Sequence, residues 1–159
     1  MNKLIEKLYD LSNDVVVLTG AGGKLGSFYA KEILESGAKI ALLDSNDELL
    51  NKLTESIDIK YKDKFISINC DISEKNSVEE AFKLIDQKLG LSSILINNAA
   101  AHQTTFVGGN LIEFEEFPIE VWKENLEVNL TGAFLCSQFA GKRMLENNKG
   151  AILNIGSTY

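Results

Sequence analysis

Histidine is almost missing from this chain: His102 is the only one among 159 residues. The chain has only two cysteines, Cys70 and Cys136, far apart and without metal-ligand spacing. A metal centre built on imidazole or thiolate ligands is therefore not expected. One cysteine falls in a strand pattern and the other in a helix pattern. They read as buried free thiols in a reducing, cytoplasmic setting. Basic residues are in deficit, 16 against 23 acidic, for a net charge of −7. No block of Lys or Arg exists, which argues against nucleic acid and anionic membrane surfaces as partners. No apolar run is long enough to span a bilayer. The opening stretch 1–14 is too charged for a secretory signal. Leu4, Ile5, Leu8 and Leu11 lie at helical spacing there and suggest a short amphipathic lead-in helix. The single proline, Pro118, stands near the expected start of a long helix that should run to about Glu146.

What remains is the composition of an ordinary globule, 45% hydrophobic and 25% charged. One domain, 15–159, is expected behind the lead-in. Short, largely non-alternating apolar runs read as strands at Val15–Leu18, Lys39–Leu43, Phe65–Asn69, Ser93–Asn97 and Ala151–Ile155. Such runs suit parallel strands covered on both faces. Helical patterns fill the gaps. Leu25, Phe28, Tyr29 and Ile33 make one apolar stripe. Val78, Ala81, Phe82, Ile85 and Leu89 make another, behind a capping box Ser77…Glu80. Gly37 and Gly90 stand where helices should close. The alternation predicts an α/β fold, a doubly wound parallel sheet with right-handed crossovers and helices on both faces. Residues 101–117 form the one long irregular segment, and such loops are usually functional.

The chemistry gathers at strand ends. Val15 to Leu18 runs into Thr19-Gly20-Ala21-Gly22-Gly23-Lys24-Leu25-Gly26, which opens a helix. A glycine turn between strand and helix cradles a dinucleotide pyrophosphate, because the free amides and partial positive charge of the helix start face it. Gly20 would permit the tight turn, Gly23 the approach of phosphate, and Gly26 close packing of helix on strand. Lys24 either touches phosphate or is a solvated first-turn residue. Asp44 ends the second strand, where a carboxylate accepts from both ribose hydroxyls and repels a 2′-phosphate; no arginine stands nearby. This favours NAD over NADP. Asp44 also suits a helix N-cap before Asn46. Asp71 could accept from the adenine amino group, with Ile72 against the ring, or could be a turn aspartate. Asn97-Asn98 ends the fourth strand as either turn formers or ligands. Ala99, Ala100 and Ala101 would let a flat ring lie against the backbone. Asn129, inside an otherwise apolar helical face, needs partners and would fix backbone groups or a water. Ser157 follows the fifth strand, where ligands of open α/β sheets collect. His102 reads as a loop residue near the pocket mouth.

Taken in order, these motifs resemble the short-chain dehydrogenase/reductase family, with its Rossmann-type sheet, over nearly the whole chain from Val15. Asn97-Asn98-Ala99-Ala100 is similar to the family's Asn-Asn-Ala-Gly. Asn129 in Val-Asn-Leu-Thr-Gly resembles its helix asparagine, and Ser157 its substrate-positioning serine. The resemblance implies hydride transfer between a nicotinamide and an alcohol or carbonyl carbon. Asn129 and Ser157 would be its catalytic members here. Gly20, Gly23, Lys24, Leu25, Gly26, Asp44, Asp71, Ile72, Asn98, Ala99 and Ala100 would bind the cofactor. It also implies a homo-oligomer through the helix around Trp122–Met144.

Two departures stand out. The glycine spacing looks like the branch acting on sugar nucleotides, with Lys24 where the compact branch has glycine. This hints at a sugar-like substrate and keeps an epimerase or dehydratase as an alternative. The family's Tyr-x-x-x-Lys pair, which moves the proton, is nowhere in the 159 residues. The sheet is then expected to be C-terminally incomplete and the 159-residue chain inactive alone. A non-catalytic dinucleotide-binding module is the other alternative.

Overall fold

The computed structural model describes residues 9–101, 106–107 and 110–156; of residues 106–111 only the strand backbone enters the description. Five parallel strands form the central sheet in the order β3-β2-β1-β4-β7. They are β1 (Val15–Thr19), β2 (Lys39–Asp44), β3 (Phe65–Asn69), β4 (Ile94–Asn97) and β7 (Ala151–Asn154). The helices are α1 (Lys24–Glu35), α2 (Asp47–Ser56), α3 (Lys75–Lys88), α4 (Ile119–Leu126) and α5 (Ala133–Glu146). β1 lies in the centre, with Val17 paired to Ala41 on one side and Leu95 on the other. The chain reverses sheet direction at β1, so a crevice opens between β1 and β4 at the strands' C-terminal ends.

Two core layers explain the non-alternating runs of β1 and β2; the expectation of cover on both faces is corrected for the two edge strands, since β3 is only partly covered and β7 is exposed along its length. Val17, Ala41, Leu43 and Leu95 point to one face and meet Val78, Phe82 and Ile85 of α3 and Cys136 and Ala140 of α5. Val16, Leu18, Ile40 and Leu42 point to the other and meet Ala30, Ile33 and Leu34 of α1 and Leu50 and Leu53 of α2. Successive strand residues alternate faces, so a strand buried on both sides must be apolar throughout. Gly37 and Gly90 follow α1 and α3 at φ +93° and +104°, as expected of helix-closing glycines. Among the described residues, no helix is long and apolar enough to cross a membrane.

Several local expectations are corrected. On α1 the buried stripe is Gly26, Ala30, Ile33 and Leu34. Leu25 and Phe28 are exposed at 54% and 61%. At the N-terminal end of α1 the small Gly26 and Ala30 face the sheet because that end packs too closely for large side chains, a choice that side-chain hydrophobicity cannot reveal. The capping box does not form. α3 starts at Lys75 behind Glu74, and the Ser77 hydroxyl instead accepts the Asp71 N–H. The long helix is interrupted by a π-helical segment, Glu127–Gly132, between α4 and α5. The irregular stretch 101–117 holds a two-stranded antiparallel ladder, β5 (Phe106–Val107) with β6 (Asn110–Leu111), and a short 3-10 helix at Phe114–Glu116. Leu4, Ile5, Leu8, His102 and Ser157 lie outside the described residues. Leu11 packs against the core layer under α1 and α2.

Candidate functional site

A cleft of ≈ 470 Å³ opens at the C-terminal ends of the strands. It is lined by Gly20, Gly23, Lys24, Leu25 and Gly26 from the first turn, and by Asp44 and Ser45 after β2. Cys70, Asp71 and Ile72 follow β3, and Asn98, Ala99 and Ala100 follow β4. Leu49 and Val128 complete the wall. Every residue expected to bind the cofactor is thus brought to one surface, in an enclosure joining four strand ends.

The glycine turn is built as its residues require. Gly20 takes φ +63°, where a side chain is strained. A Cβ on Gly26 would lie 2.1 Å from the Gly20 carbonyl oxygen, so only glycine lets α1 approach β1 this closely. Gly23 caps α1 with no side-chain acceptor, and the first turn holds no acid. Among the described residues no side chain caps the leading amides of α1, which stand beside the cleft with the positive end of the helix dipole. Lys24 is the only cation among the described lining residues.

Asp44 is held from two sides. Its Oδ2 accepts the Gly22 N–H at 2.9 Å and its Oδ1 the Asn46 N–H at 3.0 Å. Each oxygen keeps a further lone pair. The N-cap of α2 is Asn46, whose side chain accepts the Leu49 N–H at 3.0 Å. The N-cap alternative for Asp44 is thereby corrected: Asp44 lies two residues too early to reach that turn.

Asp71 makes a turn. Its Oδ1 accepts from the Ser73 N–H at 2.9 Å and the Ser73 hydroxyl at 2.6 Å. Among the described residues its other oxygen accepts no hydrogen bond, and Asp71 lines the cleft. Ile72 is buried against Gly132, where a Cβ would lie 2.7 Å from the Ile72 Cδ1. Burial pushes the Cys70 thiol up, the Ser77 hydroxyl pulls it down, and the Asp71 charge pushes it up again. Cys136, deeper in the core, is pushed up to about 12 by burial and by Cys70. Neither thiol is poised as a nucleophile. No group of potential metal ligands occurs among the described residues.

The asparagines act as clamps. Asn98 donates its amide to the Thr19 and Gly20 carbonyls at 3.0 and 3.1 Å. Thr19 returns the favour: its hydroxyl accepts the Asn98 and Ala99 N–H groups at 3.0 and 3.1 Å. This seam ties the glycine turn to the β4 end and spends the Asn98 amide on backbone. Asn97 is buried and donates to Asn154 Oδ1 at 2.8 Å and to the Ser137 hydroxyl at 3.1 Å, joining β4, β7 and α5. Asn129, in the π-helical segment, accepts the Ala101 N–H at 2.8 Å. It fixes the backbone that leaves the cleft, one of the two roles expected of it.

Sequence reasoning missed Thr19, Gly22, Ser45, Leu49, Cys70 and Val128 as parts of this site. Thr19 carried a signal, a polar residue ending an otherwise apolar strand. Gly22 lay in the glycine turn itself, and Ser45 and Cys70 beside the strand-end acids; Leu49 and Val128 carried none, because their position depends on how α2 and the π-helical segment fold back over the strand ends.

A parallel sheet of this order, with a glycine turn after β1 and an acid after β2, defines a Rossmann-type fold. Comparison with known proteins narrows this. The family model for short chain dehydrogenase matches residues 14–159. The meso-2,3-butanediol dehydrogenase of Serratia marcescens is 32% identical over 145 residues, 91% of this chain and 53% of its own length. The D-threitol dehydrogenase of Mycolicibacterium smegmatis is 32% identical over 149 residues, 94% of this chain and 54% of its own. An NAD+-bound xylitol dehydrogenase superposes with a TM-score of 0.82 at 30% identity, covering 92% of this chain and 54% of that one. The chain belongs to the short chain dehydrogenase family, and it spans about half the length of the curated relatives it matches.

Proposed function

We propose that this chain forms the cofactor-binding part of an oxidoreductase that interconverts an alcohol and a carbonyl, and that it takes NAD in preference to NADP. The observation carrying this reading is the Asp44 carboxylate, held by two backbone N–H groups beside the uncapped start of α1. The residues fit the group. The glycine turn and the α1 amides suit a pyrophosphate, with Lys24 adding charge. Asp44 suits the adenosine ribose diol, and no arginine lines the cleft to receive a 2′-phosphate. The free Asp71 oxygen and Ile72 suit an adenine edge and face. Ala99 and Ala100 offer a side-chain-poor wall to a flat ring.

When bound, the nicotinamide supplies or accepts the hydride. The chain's own residues bind and orient. Asn98 and Thr19 hold the turn against β4, and Asn129 holds the backbone at Ala101. By family resemblance, Ser157 would hold the substrate oxygen. The xylitol, threitol and butanediol dehydrogenases among its relatives favour a small polyol or hydroxyketone as substrate. This agrees with the sugar-like hint in the sequence; the glycine spacing is all that speaks for an epimerase or dehydratase, and the relatives named above are dehydrogenases. With no Tyr-x-x-x-Lys among its 159 residues, this polypeptide alone should bind cofactor without turnover. The exposed Trp122, Leu130 and Phe134 along α4, the π-helical segment and α5 support a homo-oligomer. The cysteines, buried and free, suit a cytoplasmic setting.

Calorimetric titration with NADH and NADPH tests the reading. NADH should bind at least about tenfold more tightly. Equal affinities would remove the NAD assignment, and no binding of either would remove the function.

A further inference from the structure

Gly22 was not among the glycines that the sequence singled out, yet it touches more of the selectivity machinery than any of them. Its N–H donates to Asp44 Oδ2 at 2.9 Å. A Cβ built on it would lie 2.6 Å from Leu49 Cβ, 3.0 Å from the Leu49 carbonyl carbon and 3.2 Å from Asp44 Oδ2. Its φ is not in the left-handed region. The requirement for glycine is therefore one of space alone, unlike that at Gly20. The first turn of α2 lies directly on the bare Cα of Gly22.

We propose that Gly22 is a positioning residue for cofactor selectivity, setting the orientation in which Asp44 meets the adenosine ribose. The proposal rests on the reading of this cleft as a dinucleotide site. Three contacts make the clamp. Gly22 holds one carboxylate oxygen and Asn46 the other. Asn46 is itself fixed as the N-cap of α2 through the Leu49 N–H. Next to Gly22, the Ala21 N–H donates to the Leu43 carbonyl at 3.0 Å, which pins the turn to β2. The carboxylate is thus oriented before any ligand arrives, and the cost of ordering it is not charged to binding.

A vicinal diol donates to both oxygens of a carboxylate only when the carboxylate plane is presented to it. A 2′-phosphorylated ribose has no such use for Asp44. Any displacement of the carboxylate should therefore weaken NAD binding and leave NADP binding nearly as it was. A methyl group on Gly22 produces that displacement, because Leu49 and Asp44 cannot both stay where they are.

The experiment titrates NADH and NADPH into wild-type protein and the variants Asp44→Asn, Gly22→Ala and Gly22→Ala/Leu49→Gly, with a thermal melt of each. Asp44→Asn should lose NADH affinity by about tenfold. Gly22→Ala should do the same while its NADPH affinity changes less than about twofold. The double variant loses the 2.6 Å contact with Leu49 Cβ but keeps those with the Leu49 carbonyl carbon and Asp44 Oδ2, so it should recover only part of the NADH:NADPH ratio, and no recovery at all would count against Leu49 as the source of the displacement. A cleft that only tolerates or rejects packing changes would lower both affinities together. If Asp44→Asn loses the preference and Gly22→Ala keeps it, Gly22 has no such role, while the cofactor reading stands. If wild type shows no preference, or Asp44→Asn does not alter it, the NAD assignment fails and this proposal with it. Should Gly22→Ala not fold, amide exchange decides. The Gly22 N–H should exchange at least about tenfold more slowly in wild type than in Asp44→Ala. Equal rates would mean that the clamp does not exist.

Discussion

Replacing glycine by alanine in a helix ordinarily stabilises it, by about 0.5–1 kcal/mol. In this protein the same substitution should have opposite signs at two helical positions. At Gly141, in α5, an added Cβ meets nothing within 4 Å. Gly141→Ala should then gain about 1 kcal/mol and raise the melting temperature by roughly 2–4 °C. At Gly26, the Cβ would lie 2.1 Å from the Gly20 oxygen, 2.8 Å from the Ala21 Cα and 2.9 Å from the Ala21 oxygen. All three are backbone atoms and cannot rotate away. Restoring a contact of 3.4 Å to the Gly20 oxygen requires α1 to retreat by about 1.3 Å. Ala30, Ile33 and Leu34 hold α1 to the sheet, so that retreat disturbs a packed layer. Overpacking of this kind costs about 3 kcal/mol at the upper end of the usual range, and the helical gain offsets about 1. The net loss of about 2 kcal/mol should lower the melting temperature by roughly 4–8 °C. It should also weaken NADH binding by about tenfold, since the cradle opens by more than a binding constellation tolerates. Thermal unfolding followed by circular dichroism, with a NADH titration of each variant, measures both effects. A Gly26→Ala protein as stable as wild type would refute the packing argument. So would one that melts lower but binds NADH unchanged, for the link between packing and site.

Two further outcomes are expected. Lys24 is the only cation among the described lining residues of the cleft, in a chain of charge −7, so Lys24→Gln should weaken NADH binding about fivefold at low ionic strength and much less at 1 M salt. Adenosine, which lacks phosphate, should bind both proteins alike; an equal loss for adenosine would show that Lys24 acts through packing. Burial pushes the Cys136 thiol up to about 12 from an ordinary 9.0. A raised thiol value favours the neutral, folded form, so this stability is complete below about pH 9 and fades as pH climbs toward 12. Urea unfolding should show about 2 kcal/mol less stability at pH 10.5 than at pH 8 on this account. Cys136→Ala should remove that part of the decline, and an unchanged decline in the variant would count against the burial argument.

Much of the architecture was legible because it is local. Strands buried on both faces must be apolar at successive positions, and Val15–Leu18 and Lys39–Leu43 carried that mark, whereas Phe65–Asn69 at the sheet edge is only partly covered. Asp44 and Asp71 could be placed at strand ends by counting from those runs. Their alternatives could not be separated by counting. Whether Asp44 or Asn46 caps α2 depends on which oxygen reaches the Leu49 N–H, and the structure assigns that bond to Asn46. Half of the expected stripe on α1, Leu25 and Phe28, was misjudged for a related reason, while Ile33 is buried and Tyr29 packs against the core. Hydrophobicity pointed to Leu25 and Phe28, but close approach to β1 selects Gly26 and Ala30, whose small size a pattern of apolar residues does not weigh.

By itself, then, the sequence determined the order of strands and helices, the glycine turn after β1 and the acids at the ends of β2 and β3. These follow from periodicity, turn chemistry and the short reach of the chain between neighbours. Only the tertiary structure decided how those parts become one site. The Thr19–Asn98 seam joins residues 79 apart in sequence, Asn129 reaches Ala101 across 28, and Gly22 meets Asp44 across 22. Such contacts leave no local trace. They exist because packing the two core layers brings four strand ends together, where each backbone group must find a partner.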